Sequence, residues 1–172
     1  ELIPSGETSS YRSNPLKLAE FALSRKDPAY VGRAKEVQAL EQNRLNGKTV
    51  DDAELQAAVA AIQTKCPVDV AKTNIGSVIY AVKPGDGSAR EQAASCQKVL
   101  GGYANIAKEY ATKRYRSNLI NWGMLPFITA DDTVFEIGDF VYVPGIKQIV
   151  KNGTPTFPAY LVRGGNLTEI QL

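Results

Sequence analysis

Between residues 77 and 107 the chain reads SVIYAV, KPGDG, SAREQAASCQKVLGG and YANIA, an order that restricts the fold more than any other feature. SVIYAV is a short, β-rich apolar run that fits a strand buried on both faces. Gly85 and Gly87 interrupt it. Ala89, Ala93, Cys96 and Leu100 then recur on one side of a helix that stops at a glycine pair. YANIAKEYA supplies a second strand, and KRYRSNLINWG a further amphipathic helix through Tyr115, Leu119 and Trp122. Two strands separated by a helix cannot close a hairpin, so they pair in parallel through a crossover. The expected architecture is therefore α/β, with a parallel central sheet and flanking helices.

The flanks are of a different character. Residues 3–15 are rich in Ser, Pro and Gly and read as an irregular loop. DPAYVGRAKEVQALEQNRLNGK predicts a helix capped by Asp27, with Pro28 in its first turn and Tyr30, Ala34 and Val37 on one face. DDAELQAAVAAIQTKC predicts another, with Leu55, Val59, Ile62 and Cys66 as its buried stripe. Both read as scaffold. In the tail, DFVYVPGI and FPAYLVRGG are β segments broken by Pro and Gly, which suits a smaller, partly antiparallel sheet. At 172 residues the chain is expected to form one domain, 1–172. It opens at Glu1 rather than at a methionine, as a piece excised from a longer multidomain polypeptide does.

Composition removes several classes of chemistry. The chain has no histidine, which rules out a Ser-His-Asp triad or a Cys-His pair built from its own residues. Its two cysteines, Cys66 and Cys96, lack CxxC flanks and are too few to ligate an iron–sulfur cluster alone. Cys96, on an apolar stripe, reads as a small core residue. No metal site is expected within the chain. The net charge of +2 gives no global field toward nucleic acid or anionic lipid. KEYATKRYRSN does interleave Lys108, Lys113, Arg114 and Arg116 with Tyr110 and Tyr115. A solvated helix face whose tyrosines reach the core explains that pattern better than a base-stacking surface. With no apolar run of membrane-spanning length and no signal-like start, the expected location is cytoplasmic.

The chemistry of interest sits in GDGSAREQAA, residues 85–94. One reading is purely structural: Ser88 and Glu91 make the S-x-x-E capping box of a helix start, and the glycines permit the turn. The other reads the same turn as a ligand site. The carboxyl end of a parallel strand meeting a helix amino end is where open α/β sheets bind ligands, and free amides with the helix dipole favour an anion there. Arg90 sits in the first turn, where the dipole repels a cation, and its forked guanidinium suits a carboxylate. In that positive field the Ser88 hydroxyl could serve as a base.

The ordered match GDGSAREQAA, LGG and NLINWGMLPF resembles the swivel (fourth, C-terminal) domain of aconitase-type hydro-lyases, over roughly residues 76–127. SGETSSYRSNP is similar to that family's earlier substrate-binding segment. The resemblance implies a swivelling β/β/α domain of an enzyme that dehydrates and rehydrates a hydroxy-di- or tricarboxylic acid. It implies Ser88 as the base, Arg90 as a carboxylate clamp, Arg12 as a second arginine, and Gly87 and Ala89 beside the substrate. It further implies a [4Fe–4S] cluster ligated by three cysteines of other domains, with none bound by this chain. The partners would be the cluster-bearing domains of the same parent chain, and the isolated chain would not turn over. Two positions depart from the pattern: Ala89 replaces the family's second serine and Gln92 its histidine. A divergent aconitase-like hydratase is the reading that fits these departures. The alternatives are the small subunit of an isopropylmalate-isomerase-type enzyme, or a non-catalytic carboxylate- or RNA-binding relic.

Overall fold

The alternation of apolar runs and glycine breaks is realised almost where the sequence puts it. The computed structural model describes residues 2–172 and divides into two compact units. One takes the chain up to Lys48 and then Asn74–Ile128; the other comprises Thr49–Thr73 and Thr129–Leu172.

The first unit carries the parallel sheet. Strand β1 (Ser77–Ala81) leads through helix α4 (Arg90–Val99) to β2 (Gly102–Ala107), and α5 (Lys113–Asn121) leads to β3 (Leu125–Ile128). All pairing is parallel and β2 is central, with Ile79 opposite Asn105 and Ala104 opposite Leu125. Two further helices, α1 (Pro15–Ala19) and α2 (Tyr30–Leu45), belong to this unit. Its core gathers Leu18, Ala19, Tyr30, Ile79, Ala94, Leu100 and Leu119. Each large apolar side chain buried in this way contributes roughly 1.5–3 kcal/mol.

Several expectations shift in detail. β1 is an edge strand rather than one buried on both faces: only Ile79 is buried, and Val78 is exposed. The cap of α2 is Ala29, not Asp27. Asp27 instead pairs its carboxylate with Arg33. Trp122 ends α5 exposed rather than in the buried stripe that holds Tyr115 and Leu119.

A polar ring lies inside this core. The Tyr115 hydroxyl donates to Asn105 Oδ1 at 2.6 Å and accepts from Gln97 Nε2 at 2.8 Å, while Asn105 Nδ2 donates to Gln97 Oε1 at 2.6 Å. All three side chains are fully buried, and each satisfies the other two. Burial pushes the Tyr115 phenol well above its ordinary value, so it stays a neutral donor. The ring ties α4, β2 and α5 together directly behind the 85–90 turn. Tyr115→Phe strands acceptor and donor groups of Asn105 and Gln97 and is expected to cost about 1–3 kcal/mol in urea unfolding. Wild-type stability in that variant would show that the ring is not a structural element.

The second unit holds helix α3 (Ala53–Gln63) and the antiparallel strands β4 (Phe140–Tyr142), β5 (Pro158–Arg163) and β6 (Asn166–Gln171), with α6 (Ile146–Asn152) between β4 and β5. α3 buries Ala58 and Ile62 against Val162; Leu55 and Val59 remain half-buried. Arg163 grips Asp139 with two nitrogens, at 2.8 and 2.6 Å, and these bonds hold the Asp139 carboxyl below the usual carboxylate range. No helix among the described residues is long and apolar enough to cross a membrane.

Candidate functional site at the 85–90 turn

The turn after β1 is fixed from below by the start of α5. Thr112 Oγ1 donates to the Gly85 carbonyl at 3.1 Å and accepts from Tyr115 N at 3.1 Å, and Ala111 N donates to the Pro84 carbonyl at 2.9 Å. Gly85 has φ +98°, and a Cβ there would lie 2.5 Å from Tyr115 Cγ. No other residue fits. Gly87 differs: a Cβ there meets nothing within 4 Å. The fold demands the first glycine and not the second, so the bareness of Gly87 leaves open space above the turn.

The capping-box reading is not realised. Helix α4 is capped by Ala89, whose side chain makes no cap bond, and the first helical bond runs from Ala93 N to Ala89 O. Glu91 turns its carboxylate to the indole N–H of Trp122 at 3.0 Å. Among the described residues no side chain accepts from the amides of Arg90, Glu91 and Gln92, which stand at the positive end of the helix dipole. Alanine is among the poorest caps, so this helix start gives up local stability and keeps its donors available.

Arg90 opens α4 and is half-buried, with Nε donating to the Gly87 carbonyl at 2.9 Å. That bond orients the guanidinium, and among the described residues its two terminal nitrogens have no hydrogen-bond acceptor. Leu2, Ile3, Gly85, Gly87, Ala89, Arg90 and Ala93 line a cavity of about 10 Å³ here. Such a volume holds about one water.

Ser88 is exposed, and its Oγ lies 3.4 Å from Ser5 Oγ. Ser5 was not legible from spacing, because 83 positions separate the two serines. The only signal was membership of the SGETSSYRSNP segment. That segment is anchored: Ile3 and Thr8 are buried, and Leu23 N donates to the Leu2 carbonyl at 2.9 Å. The structure thus brings Ser88, Gly87, Ala89 and Arg90 together with Ser5. Arg12 follows the 3₁₀ turn Ser9–Tyr11, is exposed, and does not line the cavity.

The thiols do not fit a cluster-ligating role. Cys96 is buried in the core, where desolvation, with the Glu91 charge adding, pushes its thiol up to about 12. Cys66 lies in the other unit, its thiol also raised by burial. No group of three or more His, Cys, Asp or Glu among the described residues could hold a metal ion. Nor do the tyrosines of the basic tract offer a stacking surface: Tyr115 is buried in the polar ring, and the Tyr110 hydroxyl donates to the Phe127 carbonyl at 2.9 Å.

Comparison with known proteins agrees with this architecture. The 3-isopropylmalate dehydratase small subunit of Saccharolobus islandicus is 38% identical over 102 residues, covering 59% of this chain and 59% of the relative. Proteins of the same name in Caldicellulosiruptor saccharolyticus and Caldicellulosiruptor bescii are each 35% identical over 113 residues, covering 58% of this chain and 64% and 67% of the relatives. The chain thus spans roughly three-fifths of the first two relatives, at 59% and 64% of their lengths. The family description "Aconitase C-terminal domain" matches residues 33–132, more than half of the sequence and all of the 85–90 turn, and the chain belongs to that family.

Proposed function

We propose that this chain is the small, substrate-capping component of a hydro-lyase of the isopropylmalate-dehydratase type. The named relatives support this small-subunit reading better than that of a general aconitase domain excised from one parent chain. The observation that carries it is the Ala89-capped helix start, with open donors, the oriented Arg90 fork and the Ser88 hydroxyl at one turn.

In this reading a carboxylate of a hydroxy-dicarboxylic acid rests on the free amides of α4 and the terminal nitrogens of Arg90. Bare Gly87 lets it approach the backbone, and Ala89 packs beside it. Arg12 supplies a second guanidinium when the site is completed. Ser88 Oγ takes the proton from the carbon next to that carboxylate. The C–H electron pair becomes the new double bond as hydroxide leaves the neighbouring carbon, and rehydration runs the same steps backward. A serine hydroxyl is a weak base at its ordinary pKa. The dipole, the unpaired amides and the guanidinium all favour its anionic form. The described thiols, with Cys96 buried in the core and Cys66 in the other unit, do not fit the [4Fe–4S] cluster implied by the family, and in this reading cluster binding falls to the partner subunit.

Reconstitution tests the proposal. The isolated chain is expected to give no dehydration of 3-isopropylmalate, followed by absorbance of the unsaturated product. Mixing it with its cluster-bearing partner is expected to produce turnover that neither component has alone. Turnover by the isolated chain, or full turnover by the partner without it, would refute the assignment.

A further inference from the structure

We infer that the Ser5 hydroxyl is a hydrogen-bond donor to the carboxylate held beside Ser88, and so a substrate-binding residue. This rests on the proposed function. A carboxylate offers about four acceptor positions on two oxygens. The residue next to Ser88 in sequence, Ala89, contributes no polar atom although it holds the cap position of α4. The Ser5 hydroxyl lies 3.4 Å from that of Ser88. That separation exceeds the ordinary range of about 2.5–3.0 Å for hydroxyl pairs. The two groups are neighbours that are not locked to one another, so the Ser5 proton can turn to a third acceptor while Ser88 Oγ stays available as the base.

Ser5 is also held in place independently of Ser88. Its carbonyl accepts from Thr8 Oγ1 at 3.2 Å, and Thr8 is fully buried. Ile3, two residues earlier, is buried and lines the same small cavity as Ala89 and Arg90. The hydroxyl makes no other hydrogen bond among the described residues. A loop anchored on both sides thus presents one free hydroxyl at the spot where the α4 cap has none.

The test moves the hydroxyl. In the enzyme reconstituted with its partner and assayed with 3-isopropylmalate, Ser5→Ala is expected to raise KM about tenfold or more with kcat little changed. The double variant Ser5→Ala/Ala89→Ser is expected to restore KM, because the donor returns from the adjoining position. Calorimetric titration of the reconstituted enzyme with malate is expected to show the same loss and rescue without turnover. The melting temperature of Ser5→Ala is expected to match that of the wild type, which a merely structural role would not allow, while Ala89→Ser, by placing a serine at the α4 cap, is expected to raise it. Wild-type KM and malate affinity in Ser5→Ala, or failure of Ala89→Ser to rescue, would overturn the assignment. So would a fall in kcat at constant KM, which places Ser5 on the Ser88 oxygen instead. Ser88→Ala run in parallel separates the two levels: if it keeps full turnover, the proposed function fails. If it is inactive while Ser5→Ala is wild-type, only the Ser5 inference is lost.

Discussion

Ser88→Ala is expected to lower kcat of the reconstituted enzyme about 10²–10⁴-fold, the range associated with losing a positioned general base. KM should change far less, because the proposed carboxylate contacts through Arg90 and the α4 amides would survive. The stability readout discriminates here. A serine that caps a helix costs about 1 kcal/mol when replaced by alanine. Ser88 caps nothing: Ala89 holds that position, and Glu91 is engaged by Trp122. The melting temperature should therefore stay at the wild-type value while turnover collapses. A variant that loses stability and keeps kcat would return Ser88 to a structural role.

Gly85→Ala is expected to act at the opposite level, on folding. The added Cβ would sit 2.5 Å from Tyr115 Cγ and Cδ2, and the residue would have to hold φ +98°. Strain at such a φ costs about 1–3 kcal/mol, and forcing a methyl into a packed core about 1–3 kcal/mol more. Tyr115 cannot move aside without breaking its bonds to Gln97 and Asn105. The sum is a large share of a domain stability of about 5–15 kcal/mol. Denaturant unfolding should show a severe loss, or no folded protein at all. Gly87→Ala is the matched control, since its Cβ enters open space; it should fold normally and weaken carboxylate binding. Equal stabilities for the two variants would contradict the division of roles between these glycines.

The parallel unit was legible because its periods are clean and its breaks are glycines. SVIYAV, the α4 stripe and the β2 run each carry one signal, and the order strand, helix, strand leaves one pairing. What the chain concealed depends on neighbours. The apolar content of β1 suggested two covered faces, but β1 is an edge strand, and Val78 reaches solvent. Leu55 and Val59 have helical spacing with Ile62, yet α3 meets its sheet through Ala58 and Ile62 and leaves them half-buried. Gln97 and Asn105 look like surface residues; only the closing of α4, β2 and α5 around Tyr115 makes a buried ring of them.

The site divides in the same way. Gly87, Ser88, Ala89 and Arg90 are contiguous, so the sequence places them together without knowledge of the fold. The capping-box pattern misled because S-x-x-E is satisfied by letters alone. In the folded chain the helix begins one residue later, at an alanine cap, and the glutamate finds a better donor in the Trp122 indole. Ser5 carried no signal beyond its membership of SGETSSYRSNP, because nothing local links it to position 88; buried Ile3 and Thr8 anchor that segment.

In the proposed function the Ser88 oxygen, on the approach to α4, removes a carbon-bound proton. Solvent isotope exchange reads that event directly. In deuterium oxide, the reconstituted enzyme should exchange the hydrogen beside the carboxylate of 3-isopropylmalate, followed by proton NMR. With Ser88→Ala the exchange should vanish while the substrate still binds. Exchange continuing at the wild-type rate in that variant would contradict the account.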